Sequence, residues 1–310
     1  MHEHIARAMY YLSIHLLFAS IVAAAAWTLT STIRASATTK YWIWIGTAFN
    51  FVLPTGAFID KLWAPHFPWA YPLGAIGGPI WDMTQGRTAV ILAITWLTGV
   101  VFMLARLITR IRREHRDAQT LQPTTDCALT SNFLADGIPV SFGDKQSGPA
   151  VRGVLNPRIL LPVDIERILN PREFHAVLIH ELAHARRRDN LIRLLYEGSL
   201  CVLWFNPLMW VAGGRMGLYR ELSCDESVIR RAHGRELVSA LAKLALPTRS
   251  VVLQATASSH LTYRLALLSA PPRSASRTMS AALVSLFFAV FVAGVFQTIA
   301  HTACCFVSKH

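Results

Sequence analysis

The chain has 310 residues, of which 53% are hydrophobic and only 15% are charged, and its formal net charge is +12. With a mean hydropathy of +0.37 and an isoelectric point near 10, this composition argues against an ordinary soluble domain and favours a membrane protein with basic residues on its cytoplasmic side. The five cysteines form no CxxC pair and have no regular spacing, which argues against a disulfide scaffold and against a cysteine-ligated zinc site.

Four apolar segments are long enough to cross a bilayer as helices, which takes about 20 residues. They cover residues 9–30, 41–59, 88–108 and 279–300. Pro54 and Gly56 interrupt the second segment. Residues 35–37 (Ala-Ser-Ala) resemble a signal-peptidase site, but the apolar run before them is too long for a signal peptide. We therefore expect a mainly α integral membrane protein with about four transmembrane helices, the first of them a retained anchor.

A cluster of arginines directly follows the third apolar segment and predicts the orientation of the chain. It consists of Arg106, Arg110, Arg112, Arg113 and Arg116. Basic clusters next to a span stay on the cytoplasmic side of the membrane. We therefore expect an N-terminal three-helix membrane region (1–117), a cytoplasmic domain (118–278), and a last helix with a short external tail (279–310). The expected location is the bacterial cytoplasmic (inner) membrane.

The expected cytoplasmic domain mixes short strands with helices. Residues 121–149 combine Pro, Thr, Asp and Gly with short apolar runs, which predicts strands and turns. Residues 151–161 predict a short strand pair or an edge strand, interrupted at residues 156–157 (Asn-Pro). Residues 191–214 are apolar but contain charges, which predicts a buried or membrane-surface helix in preference to another span.

A helix start is clearly marked before the stretch VLIHELAHARRRDN. Asn170 suits the N-cap, Pro171 suits the first helical position, and Glu173 stands where a capping box places its acidic partner. Apolar side chains then recur at helical spacing and predict a buried stripe of Phe174, Val177, Leu178, Leu182 and Ala185. His180 and His184 therefore stand one turn apart on one face of a helix.

Two histidines at this spacing and the glutamate between them form the pattern HExxH. The imidazoles of His180 and His184 can direct nitrogens at a single Zn²⁺ ion. Glu181 can then take a proton from a zinc-bound water as a general base. The alternative is an ordinary amphipathic helix with a basic tail at Arg186–Arg188, whose histidines form hydrogen bonds in the protein core.

A catalytic zinc needs a third protein ligand, and the downstream stretch LYRELSCDESVIRR offers one. Glu221 and Asp225 are one turn apart on a predicted helix, so Glu221 could complete a His₂Glu site. Asp225 could accept a hydrogen bond from a zinc-bound imidazole and orient it. The alternative is a solvated helix face whose charges pair with one another, which would comprise Arg220, Glu221, Asp225, Glu226, Arg230 and Arg231.

Several motifs in this order carry a family resemblance that covers almost the whole chain. Three spans and a basic turn are followed by GVLNPRILLP, HELAHARRRDNL, WFNPLMW, ELSCDE and a last span. This order resembles the bacterial β-lactam-sensing antirepressor metallopeptidases of the BlaR/MecR type. The resemblance implies a cytoplasmic α+β gluzincin-like zinc peptidase domain, with His180, His184 and Glu221 as zinc ligands and Glu181 as the general base.

The same resemblance implies roles around the metal site. Asp189 would fix the end of the zinc-binding helix without taking part in the chemistry, so that it joins Asp225 as a supporting residue. Residues 151–161 would form the edge strand that pairs with an extended substrate. The expected substrate-binding residues are Val151, Arg152, Gly153 and Val154.

The chain departs from the resembling proteins in one respect. Those sensors continue after the last span into an external penicillin-binding domain, whereas this sequence ends shortly after it. We therefore expect a short member that does not itself bind β-lactams covalently. The expected partners are the lipid bilayer and a peptide or protein substrate, such as a cytoplasmic transcriptional repressor or the chain itself. A homodimer is left open, and direct nucleic-acid binding is not expected.

Two other hypotheses compete with regulated proteolysis. One is a membrane quality-control or CAAX-type zinc protease, which shares HExxH and a downstream ExxxD. The other is a non-catalytic membrane signalling or scaffold protein whose basic face binds nucleic acid or anionic lipid. Tyr219, Arg230 and His233 are alternative candidates for an oxyanion donor, and residues 245–280 suit either a flexible linker or a self-cleavage site.

Overall fold

A computed structural model of the chain describes residues 2–33, 35–52, 86–119, 137–143, 148–231, 233–245 and 264. The helices in these ranges are α1 (His2–Thr32), α2 (Ala37–Asn50), α3 (Gly86–Gln119), α4 (Ile165–Ile168), α5 (Pro171–Arg187), α6 (Asp189–Val202), α7 (Pro207–Ile229) and α8 (Gly234–Ala245). The strands are β1 (Val140–Gly143), β2 (Ala150–Arg152) and β3 (Arg158–Pro162). The described part of the chain is therefore mainly helical, as expected.

The chain divides into two compact units. The described residues of the first unit fall within 1–106 and 198–216, and those of the second fall within 107–197 and 217–274. The long helices α3, α6 and α7 each begin in one unit and end in the other.

Two helical stretches among the described residues are long and apolar enough to cross a bilayer. They are His15–Thr32 in α1 and Val90–Glu114 in α3, and they overlap the first and third predicted spans. The apolar side chains along α3 are exposed, as lipid contact would require, and include Val90, Ile91, Leu92, Ile94, Leu97, Val101 and Phe102.

The second and fourth predicted spans are not described in full. The second overlaps α2, whose 14 residues are fewer than a bilayer-crossing helix needs. Residues 53–59 and the whole fourth span (279–300) lie outside the described residues. The α2 helix begins at a Ser36 cap and packs against α1, where the Trp44 indole N–H donates to the Thr30 hydroxyl at 3.3 Å.

The second unit contains a three-stranded sheet in the order β1-β3-β2. Strand β3 pairs parallel to β1 and antiparallel to β2, so the strand-pair interpretation of residues 151–161 is confirmed. Gly153 turns the chain after β2 with a φ of 85°, and a Cβ there would lie 2.3 Å from the Asn156 carbonyl oxygen. This turn therefore requires glycine.

Helix α5 packs against β2, β3 and α8, and its apolar stripe forms the centre of the core. That core comprises Phe142, Ile159, Leu161, Ile165, Leu169, Phe174, Ala176, Val177, Leu178, Ile179, Val228, Leu237 and Ala240. The predicted capping box is confirmed. The Asn170 side chain accepts from the Glu173 N–H at 2.9 Å, and the Glu173 carboxylate accepts from the Asn170 N–H at 2.9 Å.

The other end of α5 is a tight corner. Arg188 has φ 54° and ψ 46°, the left-handed conformation that often ends a helix, and α6 begins at the next residue. Helix α6 ends at Val202, and α7 begins at Pro207 after an Asn206 side chain that accepts from the Leu208 N–H at 2.9 Å. Residues 191–214 therefore form parts of two helices.

Candidate metal centre

Three ligand-type side chains from two helices converge in the second unit. His180 and His184 extend from α5, and their Nε2 atoms lie 3.2 Å apart. The Oε2 atom of Glu221, on α7, lies 3.7 Å from each of these nitrogens. All three groups therefore offer their ligand atoms within 4.8 Å of one another.

Glu221 is held in this orientation by its neighbour. The Arg220 guanidinium donates to Oε1 of Glu221 from Nη2 at 2.8 Å and from Nε at 3.1 Å. One carboxylate oxygen is thus bound by arginine, and the other faces the two imidazoles.

A carboxylate stands behind each imidazole, on the side away from the convergence point. Oδ2 of Asp189 lies 2.6 Å from Nδ1 of His184, and Oδ1 of Asp225 lies 3.1 Å from Nδ1 of His180. Carboxylates at these positions favour the tautomer with a proton on Nδ1, which leaves a lone pair on each Nε2. Two imidazole lone pairs and a carboxylate oxygen then point at one place, an arrangement that a cation satisfies.

The donor set fits zinc in particular. Zinc is commonly bound by imidazole nitrogens and a carboxylate oxygen, and a catalytic zinc has three such ligands with one position left open. Both supporting carboxylates are buried, since Asp189 is 4% exposed and Asp225 is 2% exposed. The hypothesis of a solvated charged face therefore fails for Asp225, although Arg230 and Glu226 do form a surface pair at 3.8 Å.

An arginine completes the support of each carboxylate. Arg187 contacts both oxygens of Asp189, from Nε and Nη2, at 2.6 Å each. Arg264 contacts both oxygens of Asp225, from Nε and Nη2, at 2.8 Å each, and its Nη1 lies 3.5 Å from Oε2 of Glu221. Paired contacts of this kind are the strong form of the arginine–carboxylate interaction.

The acidic surroundings favour positive charge on the two imidazoles. Burial lowers the pKa of His180, but the Asp225 and Glu221 carboxylates outweigh it and raise that pKa to about 9. The pKa of His184 also lies well above its usual value, because Asp189 and Glu221 outweigh burial. A divalent cation bound between these groups would supply the positive charge that the protons otherwise provide.

Glu181 differs electrostatically from the other acids. Only 7% of the surface of Glu181 is exposed. This burial raises the pKa of the Glu181 carboxyl above its usual value, although His180 and His184 act in the opposite direction. The pKa of Glu221 instead lies well below the usual value, because its interactions with the two imidazoles and with Arg220 outweigh burial. Burial therefore favours the protonated form of the Glu181 carboxyl more than in an exposed glutamate.

The structure places the expected substrate-binding residues at the outer strand of the sheet. Val151 and Arg152 belong to β2, and Gly153 and Val154 follow it directly. Strand β2 packs against α5, the helix that carries the histidines. Their binding of a substrate stays a prediction.

The three candidate oxyanion donors have different surroundings. Arg230 is exposed and donates to Ser227 at 3.2 Å, and the His233 ring lies 4.8 Å from that of His175. Tyr219 is buried on α7, with 8% of its surface exposed.

Sequence reasoning missed both supporting arginines. The alternative of a basic tail at Arg186–Arg188 fails for Arg187, whose side chain is 14% exposed and contacts the Asp189 carboxylate and the Ser223 hydroxyl. Arg186 and Arg188 are exposed. Arg264 lies in the stretch interpreted as a linker or cleavage region and contacts Asp225, 39 positions earlier. No local pattern indicates a pairing at such a distance.

Asp189, expected as a supporting residue at the helix end, contacts the His184 imidazole directly. Its pKa is held below the usual value, since hydrogen bonds from Arg187 and His184 outweigh burial.

Comparison with known proteins gives a family and several relatives. A family profile described as BlaR1 peptidase M56 matches residues 78–268. The regulatory protein BlaR1 of Bacillus licheniformis is 31% identical over 143 residues, which cover 44% of this chain and 24% of that protein. The methicillin resistance mecR1 proteins of Staphylococcus aureus and Staphylococcus epidermidis are 27% identical over 104 residues, covering 34% of this chain and 18% of theirs. The chain thus spans a quarter or less of the length of these relatives.

Proposed function

The chain belongs to the BlaR1 peptidase M56 family, and we propose that it is a membrane-anchored zinc-dependent endopeptidase with a regulatory role. One observation carries the proposal: the Nε2 atoms of His180 and His184 and Oε2 of Glu221 converge, while buried carboxylates stand behind both imidazoles. Such a donor set, with a carboxylate beside each imidazole, is typical of catalytic zinc sites.

The proposed mechanism is peptide-bond hydrolysis. Zinc bound by His180, His184 and Glu221 would act as a Lewis acid that activates water and polarises the scissile carbonyl. Glu181 would accept a proton from the attacking water on its carboxylate and then deliver it to the leaving amine nitrogen. The position of Glu181 between the two histidines on α5, with 7% of its surface exposed, supports this role.

The proposed substrate is an extended segment of a protein. The outer position of β2 and its packing against α5 support binding by strand addition along Val151, Arg152, Gly153 and Val154. The regulatory and resistance functions in the names of the relatives support a cytoplasmic repressor, or the chain itself, as the substrate. The repressor and the chain itself as substrates are part of this proposal, and so is the formation of a homodimer.

The proposed location is a bacterial inner membrane, with the peptidase domain in the cytoplasm. The two apolar helical stretches support the membrane, and the arginines around the end of the second stretch support this orientation. The proposed regions are residues 1–117, 118–278 and 279–310, with about four spans in total and a gluzincin-like fold in the middle region.

The decisive variant is Glu181→Gln, which keeps the side-chain shape but removes the proton acceptor. In purified full-length protein, we expect one zinc per chain in both forms, measured by atomic absorption. Cleavage of fluorescently labelled casein should fall by at least about 100-fold in the variant. Comparing protein termini in cells that carry either form would then identify the substrate.

The matched control is Glu226→Gln on α7, because Glu226 pairs with the exposed Arg230. This variant should cleave casein at the wild-type rate. Equal cleavage by Glu181→Gln and wild type would overturn the proposed mechanism, and absence of zinc from the wild-type protein would overturn the metal assignment.

A further inference from the structure

The side chain of Asn190 joins the metal-binding region to the outer strand of the sheet. Asn190 is the second residue of α6, directly after Asp189. Its Nδ2 donates to the carbonyl oxygens of Val151 at 2.9 Å and of Gly153 at 3.0 Å. One side-chain amide thus uses both of its hydrogens on the backbone of β2 and the turn that follows.

These carbonyls lie on the side of β2 that faces away from β3, where no strand pairs with it among the described residues. The Ile159 N–H, in the central strand β3, donates to the carbonyl of Pro139 just before β1. Ile159 therefore directs its backbone groups to β1, and its partner Val151 must direct its own away from β3. Gly153 stands two residues further along the same side. Asn190 therefore contacts the edge to which a further strand would add.

The residue before Asn190 contacts a proposed zinc ligand. Asp189 accepts from the His184 imidazole, while Asn190 donates to the backbone of β2. Two consecutive side chains in the first turn of α6 thus hold a proposed zinc ligand and the proposed substrate strand. Since the first turn of a helix is fixed by its backbone, the strand and the ligand are fixed relative to one another.

We propose that Asn190 is a positioning residue that sets the place of the substrate-pairing strand relative to the zinc ligands. The proposal rests on the proposed peptidase function and adds to it how the peptide is aligned. Asn190 already donates to the Val151 and Gly153 carbonyls, so the Val151 N–H is the edge group to which a peptide carbonyl would pair. Substrate recognition at this strand would thus depend on a donor from β2 and an acceptor from the peptide.

The test compares Asn190→Ala, Asn190→Asp and Asn190→Gln in the full-length protein. Asn190→Ala should keep one zinc per chain, raise KM for labelled casein roughly tenfold through the loss of two hydrogen bonds, and change kcat much less. Asn190→Asp should raise KM further, because its carboxylate repels the two carbonyls. Asn190→Gln keeps the amide and should recover part of the loss. Mass spectrometry of the products should show more scattered cleavage positions in the impaired variants.

A second measurement tests the proposal without relying on catalysis. Amide hydrogen exchange in peptides covering residues 148–161 should be faster in Asn190→Ala than in wild type, since β2 loses its anchor. The control Arg193→Ala, one turn further along α6, removes a half-exposed side chain that pairs with Glu197 and should change neither KM nor exchange.

The outcomes separate this inference from the peptidase proposal. If wild type binds zinc but does not cleave casein, the peptidase proposal fails, and faster exchange in Asn190→Ala still supports the anchoring of β2. Unchanged exchange together with an unchanged KM overturns the role of Asn190. Loss of zinc from Asn190→Ala also overturns it, because the residue would then support the metal site and not the strand.

Discussion

Each imidazole at the candidate metal centre is backed by a carboxylate, and each carboxylate is backed by an arginine. His184, Arg187 and Asp189 lie within six residues. The corner between α5 and α6 therefore supplies the whole set. The set behind His180 instead combines Asp225 on α7 with a distant arginine. A hydrogen-bonded carboxylate fixes the imidazole ring and makes its free nitrogen a better ligand. The arginine keeps the carboxylate ionised and in place.

Arg264 should therefore affect zinc binding without being a ligand. In Arg264→Ala, the buried Asp225 carboxylate loses its two-point contact and no longer holds His180 firmly. We expect the zinc dissociation constant to rise about 10- to 100-fold, measured by competition with a chromogenic chelator. Arg264→Lys retains the charge but not the paired geometry. Its zinc dissociation constant should therefore lie between those of the wild type and Arg264→Ala.

Arg230→Ala is the matched control for this experiment. Arg230 is an exposed arginine that follows Glu221 and Asp225 in the sequence, and it pairs with Glu226 at 3.8 Å. Its removal should leave zinc affinity unchanged. Wild-type affinity in Arg264→Ala would show that Asp225 orients His180 without help from the arginine.

At the scale of elements, α5 is fixed at its start by more than its own cap. Beyond the capping box with Asn170, the buried Glu173 carboxylate accepts from the Ser239 hydroxyl at 2.6 Å and from the Lys243 ammonium at 2.7 Å. Both partners belong to α8. Glu173 therefore ties the first turn of the histidine-bearing helix to a second helix.

Glu173 should make the stability of this unit depend on acidity. Burial alone would raise the pKa of the Glu173 carboxyl, but the bonds from Lys243, Ser239 and the Asn170 N–H lower it below the usual value. Because the folded pKa is the lower one, the stabilisation is complete above the unfolded value near 4.5 and is lost as pH falls through the folded pKa. In Glu173→Gln we expect the free energy of unfolding to be about 1–3 kcal/mol lower than in the wild type at pH 7, and this difference should be smaller at pH 3.

Thermal unfolding of both forms in a metal chelator would measure this difference. The chelator removes the contribution of zinc, whose ligands also titrate in acid. Glu166→Gln in α4 is a suitable control, because Glu166 is exposed and near the same helix start. A stability difference that is the same at pH 7 and pH 3 would contradict the role assigned to the ionised Glu173.

At the scale of the whole molecule, a bound metal would join helices that are distant in sequence. His180 and His184 belong to α5, whereas Glu221 belongs to α7. Because a metal bound only to the folded state stabilises it, removal of zinc should lower Tm. Free zinc at a thousand times its dissociation constant contributes about 4 kcal/mol, which corresponds to several degrees.

The comparison of Tm with and without chelator in purified full-length protein would check this expectation. Added zinc should restore the original Tm. In His180→Ala the chelator should have no effect, because one ligand is missing. A chelator-induced shift of equal size in that variant would place the stabilising metal elsewhere in the chain.

Local patterns in the sequence were sufficient to predict the helix and the strands around the site. Asn170, Pro171 and Glu173 marked the helix start, and the spacing of His180 and His184 placed both on one face. These features depend on neighbours within one or two helical turns, which a sequence displays directly. Residues 151–161 were likewise predicted to form a strand pair or an edge strand, and the strand pair is found there.

The supporting contacts depend on tertiary structure and were not predictable in this way. Arg187 looks like one of three similar arginines, and only the left-handed turn at Arg188 decides which one points inward. Arg264 pairs with Asp225 across 39 residues, so no periodic pattern connects them.

The left-handed turn at Arg188 makes the number of residues between His184 and Asp189 important in its own right, apart from the side chain of Arg187. Each residue in a helix advances the chain by about 100° and 1.5 Å. One residue inserted before the turn would rotate Asp189 away from the imidazole it now touches at 2.6 Å. Side chains such as that of Arg186, which is exposed, can vary while this length stays fixed. For this segment, an insertion or deletion would therefore separate Asp189 from His184 even with every side chain retained, which makes the spacing itself part of the site.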